Sequence, residues 1–289
     1  MMDHRVTAVV LTHNRANEVL RTVRRLLALP EKPPIIVVDN GSQDDTAAVL
    51  TNAYPQVNIV RMEQNIGAAA RNAGVREAAT RYVALCDDDT TWSADGSLRR
   101  AADVLDKHDR IAVVTAKVLV GPEEREDPTC VLMARSPLPR PAGFQGPSIL
   151  GFLAGASLVR RDAFLEVGGF ESKLFLGGEE ALMAYDLAEA GWSMVYLSTA
   201  IVHHHPSPSR DSIGRRRLLL RNALWIAWLR RPFVSAWRET WRAFEETRSD
   251  PAAVPGFSDA LSEVRWLITR RRVLSPRIEH LIRLLEKQV

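Results

Sequence analysis

The sequence predicts an α/β fold built on a mainly parallel sheet with helices on both faces. Short runs that are apolar at nearly every position, such as Val6 to Thr12 and Tyr82 to Cys86, fit strands buried on both sides. Helical patterns separate those runs, and parallel neighbours require such crossovers. The chain has 289 residues and is 46% hydrophobic, which supports a substantial core.

The elements follow in order. "VTAVVLT" reads as the first strand, and "ANEVLRTVRRLLAL" as an amphipathic helix with Val19, Val23, Leu26 and Leu27 on one face. "PPIIVVDNGS" is a strand ended by Asp39, Asn40 and Gly41, and "DDTAAVLTNA" a helix with acids in its first turn. "VNIVRM", the helix "IGAAARNAGVREAA", the strand "RYVALC", a helix near Asp95 to Lys107 and the strand "IAVVTAKVLV" complete the first half. The Pro-rich stretch from Gly121 to Pro147 is expected as a long loop or edge excursion. Order resumes at "GFLAGAS", followed by a helix from Glu179, a turn at Gly191, and a strand ending in His203, His204 and His205. Residues 213–247 and 259–287 read as two long, Arg-rich amphipathic helical stretches separated by "SDPAAVPGFSD".

Composition excludes several classes. The two cysteines, Cys86 and Cys130, form neither a zinc nor a disulfide framework, so a reducing cytoplasm is expected. The first apolar run is too short for a secretion signal. No run approaches the ~18 apolar residues of a membrane span, and "LLLRNALWIAWL" is interrupted by Arg221 and Asn222. The net charge of +3 is uneven. From Arg210 onward 17 Lys and Arg face 9 Asp and Glu, giving +8, which leaves −5 for the first 209 residues. The two parts are expected to face different partners.

In open parallel sheets, ligands bind beyond the carboxyl ends of the strands. The candidates at that edge are Thr12, His13, Asn14 and Arg15, then Asp39, Asn40 and Ser42, then Asn65 and Gly67, then Asp87, Asp88 and Asp89. Asp39 can serve as a turn residue or as an acceptor for a base or ribose. No GxGxxG follows the first strand, which argues against a dinucleotide site. Arg71, one turn into an alanine-rich helix, offers paired N–H donors for a pyrophosphate. Three consecutive carboxylates suit Mg²⁺ or Mn²⁺ brought in with a nucleotide. Glu179 and Glu180 begin a helix after two glycines, where a carboxylate can accept a proton from a hydroxyl. Of the three histidines, side-chain alternation allows one or two at the same site.

Together "VVLTHNR", "IIVVDNGSQDDT", "NIGAAARNAG", "CDDDT", "GGEE" and the His-containing strand end resemble the family 2 inverting glycosyltransferases of GT-A fold. The resemblance covers residues 5 to about 210 and implies a nucleoside-diphosphate sugar donor of UDP or dTDP type, a divalent cation (Mn²⁺ or Mg²⁺) and inversion. It implies a catalytic unit over 1–210, with the donor half to about 120 and the acceptor half from 121, and a helical extension over 211–289. By its motifs, Thr12 and Asp39 contact the nucleotide and Arg71 the diphosphate; "CDDDT" looks like the DXD motif, with Asp89 as the main metal ligand and Asp87 nearer the ribose. His204 completes the metal site, with His203 and His205 as alternatives, and Glu180 of the acidic pair is the base. Leu182 stands where relatives often carry another Asp, which weakens inference about the acceptor.

The extension carries Trp225, Trp228, Trp237, Trp241 and Phe244 among arginines. Those aromatics either pack the helices onto the core or adsorb to an anionic membrane at its inner face, near a lipid-linked acceptor. Glycan and small-molecule acceptors are equally compatible, whereas no nucleic-acid recognition motif appears. Two other functions compete. A sugar-phosphate nucleotidyltransferase needs a Gly-rich phosphate loop after the first strand, and "THNRANE" lacks glycine. A non-catalytic sugar-nucleotide-binding protein needs no acidic pair.

Overall fold

The apolar strands take the middle of the sheet, as burial on both faces requires. The structure, a computed structural model, describes residues 4–206 and 212–288. Its elements are β1 (Val6–Thr12), α1 (Ala16–Leu27), β2 (Ile35–Asp39), α2 (Thr46–Ala53), β3 (Asn58–Arg61), a 3-10 turn (Gly67–Ala70), α3 (Arg71–Glu77), β4 (Tyr82–Asp87) and β5 (Thr90–Trp92). Then come α4 (Ser97–Lys107), β6 (Ile111–Val120), β7 (Arg125–Glu126), α5 (Pro128–Ala134), β8 (Ser148–Ile149), β9 (Ala156–Arg160), α6 (Arg161–Glu166), α7 (Glu179–Glu189) and β10 (Ser193–His204). The chain closes with α8 (Ser212–Arg230), α9 (Phe233–Ser249), α10 (Val254–Ala260), α11 (Val264–Arg270) and α12 (Pro276–Glu286).

The sheet order is β3-β2-β1-β4-β9-β6-β10-β5. β3, β2, β1 and β4 run parallel, and their register aligns Thr12 with Asp39 and Leu11 with Asp87. β9 enters antiparallel between β4 and β6, so the sheet is mixed, while β6 and β10 are again parallel. The strand ends bearing Thr12, Asp39 and Asp87 therefore share one edge, as the sequence predicts. The main core lies on both faces of this sheet.

Several elements differ from expectation. The helix expected over 66–79 begins as a 3-10 turn and ends at Glu77. The Gly121–Pro147 stretch holds β7 and α5, the latter started by Asp127, whose carboxylate accepts from Thr129 N, with Pro128 at the first helical position. The long helix over 213–247 breaks at Arg231 and Pro232, because proline lacks an N–H and disfavours helix in the preceding residue. "SDPAAVPGFSD" contributes α10, and Ser275-Pro276 separates α12 from α11. A second core, with Leu182, Leu224, Trp225, Ile226 and Leu229, joins α7 to α8.

Candidate active site

The edge begins with the loop after β1. Thr12 donates to Asp88 Oδ2 at 3.0 Å, and Arg15 spans Asp88 (3.1 Å) and Asp89 (3.3 Å). Thr22 of α1 donates to the Asp88 carbonyl at 2.6 Å. Asp88 is buried, and that burial pushes its carboxyl up to about 7 against the opposing pull of Arg15. Asn14, in a left-handed conformation, receives Gln43 N on its side chain and donates its N–H to Ser42 Oγ, closing the loops after β1 and β2 together.

Asp39, fully buried, accepts from Ser42 N through Oδ1. Its Oδ2 has no hydrogen-bond partner among the described residues and faces Arg61 Nε at 3.4 Å. That long ion pair is all that offsets the burial of this oxygen, which keeps its hydrogen-bonding capacity for a ligand's donor. Asn40 bonds Asn65 and the Gly67 carbonyl, and Asn65 accepts from Gly67 N. Gly67 has no alternative, since a Cβ there would overlap the Phe175 carbonyl.

The aspartates diverge. Asp87 turns to Arg71, with which it forms a close ion pair, and it lies against Gly155, where a Cβ would overlap its carboxylate. Asp89 faces His204 Nε2 at 3.5 Å. His204 stands beside Thr90 in the β10–β5 ladder, and the rings of His203 and His205 lie nearly parallel with centroids 6.5 Å apart. His203 faces Glu124 at 3.4 Å, and His205 is lowered by burial and by nearby Arg25. Alternation along β10 brings the His204 ring to Asp89, while His205, just past the strand, donates its N–H to the Asp89 carbonyl at 2.9 Å and lines the same pocket as Asp88 and Asp89. Among the described residues no three His, Cys, Asp or Glu side chains form a metal-holding group. Asp89 and His204 still suit Mn²⁺ or Mg²⁺, which keep most of their coordination for phosphate oxygens and water.

The acidic pair opens α7. Gly178 precedes it at φ +88°, in the left-handed region that glycine tolerates. Glu179 is buried, its Oε2 without a hydrogen-bond partner among the described residues, and burial raises its carboxyl. Glu180 is half-buried; burial first, then repulsion from Glu179, pushes it up to about 7, opposed by Arg71. Ala154 N lies 3.5 Å from Glu180 Oε1 while the next residue, Gly155, lies against Asp87. Two adjacent residues of "GFLAGAS" therefore connect the aspartates to the acidic pair. The sequence reading missed this service of Gly155, because a glycine carries no chemically active group, whereas Asn40 was already among the strand-end candidates.

Residues 7–168 match the family described as "Glycosyl transferase family 2". The chain belongs to that family. This glycosyltransferase is 25% identical over 234 residues, 70% of its length and 76% of the relative's, to the N-acetylglucosaminyl-diphospho-decaprenol L-rhamnosyltransferase of Mycobacterium tuberculosis. It is 31% identical over 229 residues to that organism's pre-mycofactocin glycosyltransferase, spanning 74% of this chain and 46% of the relative. Among solved structures, a mannosyltransferase from Pyrobaculum calidifontis, in complex with GDP-Man and Mn²⁺, superposes with a TM-score of 0.61 at 17% identity, covering 98% of this chain and 86% of that one. That likeness establishes the GT-A fold of the transferase.

Proposed function

We propose that this glycosyltransferase moves a sugar from a UDP- or dTDP-sugar to an acceptor hydroxyl with inversion, assisted by a divalent cation. The observation that carries the reading is the contact of adjacent residues Ala154 and Gly155 with Glu180 and Asp87, because it puts a proton acceptor beside the donor edge. The open Oδ2 of Asp39 accepts from the nucleotide base or ribose, in the loop frame set by Thr12, Asn14, Asn65 and Gly67. Arg71 leaves Asp87 for the diphosphate, and Arg15 and Asp88 fix Asp89 in place. Asp89 and His204, with Asp87 nearby, would hold the cation, which when bound would offset negative charge on the diphosphate. Glu180 removes the acceptor proton, its raised value bringing its basicity close to neutral pH; burial keeps it raised, and the charge of Glu179 adds to that. One displacement from the face opposite the diphosphate inverts the anomeric centre.

Incubation with a panel of nucleotide sugars tests this directly. The expected result is Mn²⁺- or Mg²⁺-dependent release of UDP or dTDP and an inverted anomer by NMR; a retained anomer, or equal release in EDTA, overturns it. The acceptor is lipid-linked and met at an anionic membrane surface, a reading supported by the diphospho-decaprenol in the rhamnosyltransferase's name and by exposed aromatics on α9. The site then lies on the cytoplasmic side.

A further inference from the structure

The turn that delivers the acidic pair is held from the C-terminal helices. Asn222 of α8 is fully buried. Its Nδ2, with two N–H groups, lies within hydrogen-bond reach of three carbonyls, Leu174 at 2.8 Å, Leu176 at 3.1 Å and Gly177 at 2.5 Å, so one N–H is shared between two of them. Its Oδ1 accepts from Arg221 Nε at 3.0 Å, which fixes the amide with its N–H groups toward the turn. The remaining carbonyl, Phe175, accepts from Ala68 N at 2.7 Å. Four consecutive carbonyls from 174 to 177 are thus engaged, three by one side chain.

Shape reinforces the bonds. A Cβ on Gly177 would lie 2.6 Å from Leu219 Cδ2, and one on Gly178 2.7 Å from Ile226 Cδ1. The turn is therefore pressed against one face of α8, at positions 219, 222 and 226, with helical spacing. From the other side it meets Gly67 and Ala68, in the loop bonded to Asn40.

We propose that Asn222 is a positioning residue for Glu180: by holding the carbonyls of Leu174, Leu176 and Gly177, it fixes the turn from which the acidic pair enters the site. This rests on the assignment of Glu180 as the base. The C-terminal helices are then part of the catalytic apparatus, since removing this one amide takes the side-chain donor from the part-buried Leu176 and Gly177 carbonyls at once, while Leu174 keeps Arg221 Nη2 at 2.9 Å. Displacement of a base by about 1 Å costs on the order of 10²-fold in rate.

The test is a double-mutant cycle on the full chain, with Glu180→Gln, Asn222→Leu and the pair, read as nucleoside diphosphate release from UDP- and dTDP-sugars with Mn²⁺. Asn222→Leu is expected to lower kcat roughly 10²-fold, with the donor KM and calorimetric UDP and dTDP affinity unchanged. The double variant is expected to be no slower than Glu180→Gln alone. Multiplying losses, or a loss confined to KM, overturn the positioning role. Glu180→Gln with undiminished turnover removes the base assignment and this role with it; an inactive Glu180→Gln beside Asn222→Leu at wild-type kcat removes the role of Asn222 alone. If Asn222→Leu does not fold, Gly178→Ala disturbs the same turn from its other end and goes through the same cycle with the same expectations.

Discussion

As the proposed base, Glu180 combines opposing demands. A base must be ionised to act, yet burial and Glu179 favour the protonated carboxyl. Activity is therefore expected to fall as pH drops through about 7, visible as the acid limb of kcat/KM against pH. Stability runs the other way. A carboxyl whose value is raised by folding stabilises the protein below its ordinary value of 4.5, and that contribution is lost as pH rises toward 7. Glu180→Gln should thus lose roughly 10²–10⁴-fold in turnover while melting above the wild type at pH 8, a gap that closes toward pH 4.5. A melting difference independent of pH would contradict this account. At the proposed metal site, Asp89→Ala should abolish Mn²⁺ binding measured by EPR. Asp88→Asn should retain it, because Asp88 is occupied with Thr12 and Arg15.

At the scale of elements, α7 is held at its start by the turn and along its length by α8. Arg230 of α8 grips Asp186 of α7 with two bonds, at 2.5 and 2.9 Å, and is buried there. Asp186→Ala leaves a buried guanidinium unpaired and is expected to cost about 3–5 kcal/mol, read as a fall in the urea midpoint; a cost below about 1 kcal/mol would mean water replaces the carboxylate. Such ties explain what the sequence did and did not disclose. Strands β1, β2 and β4 were legible because burial on both faces leaves an uninterrupted apolar run, and their ends gave Thr12, Asp39 and Asp87 together. Which ring of "HHH" lies nearest the Asp89 carboxylate was open in the sequence, since it depends on the phase of β10 against β5. Asn222 was read only as an interruption of an apolar run, because its partners lie more than forty residues away. Asp127-Pro128 was a readable helix start inside a stretch whose composition resembles loop.

Across the whole molecule, the aromatics of the extension divide into two sets. Trp225 is buried and Trp228 half-buried in the core joining α8 to α7, so the packing expectation holds for them. Trp237 and Trp241 are 51% and 62% exposed, and Phe233, Val234 and Phe244 of the same helix are also exposed. Arg238, Arg242 and Arg248 are exposed beside them. No helix among the described residues is long and apolar enough to cross a membrane. Surface adsorption needs no span: rings at headgroup depth and arginines facing anionic lipid suffice. A second copy of the chain is the poorer occupant, because the sequence from Arg210 carries a net +8 that repels its like. The protein is expected to co-sediment with phosphatidylglycerol vesicles at low salt and much less at high salt, where charges beyond the Debye length are screened. Trp237→Ser with Trp241→Ser should weaken that binding while leaving nucleotide-sugar hydrolysis intact, since neither ring contacts the candidate site residues. Equal binding to neutral phosphatidylcholine vesicles, or none at low salt, would remove the membrane from the reading and leave the transferase itself untouched.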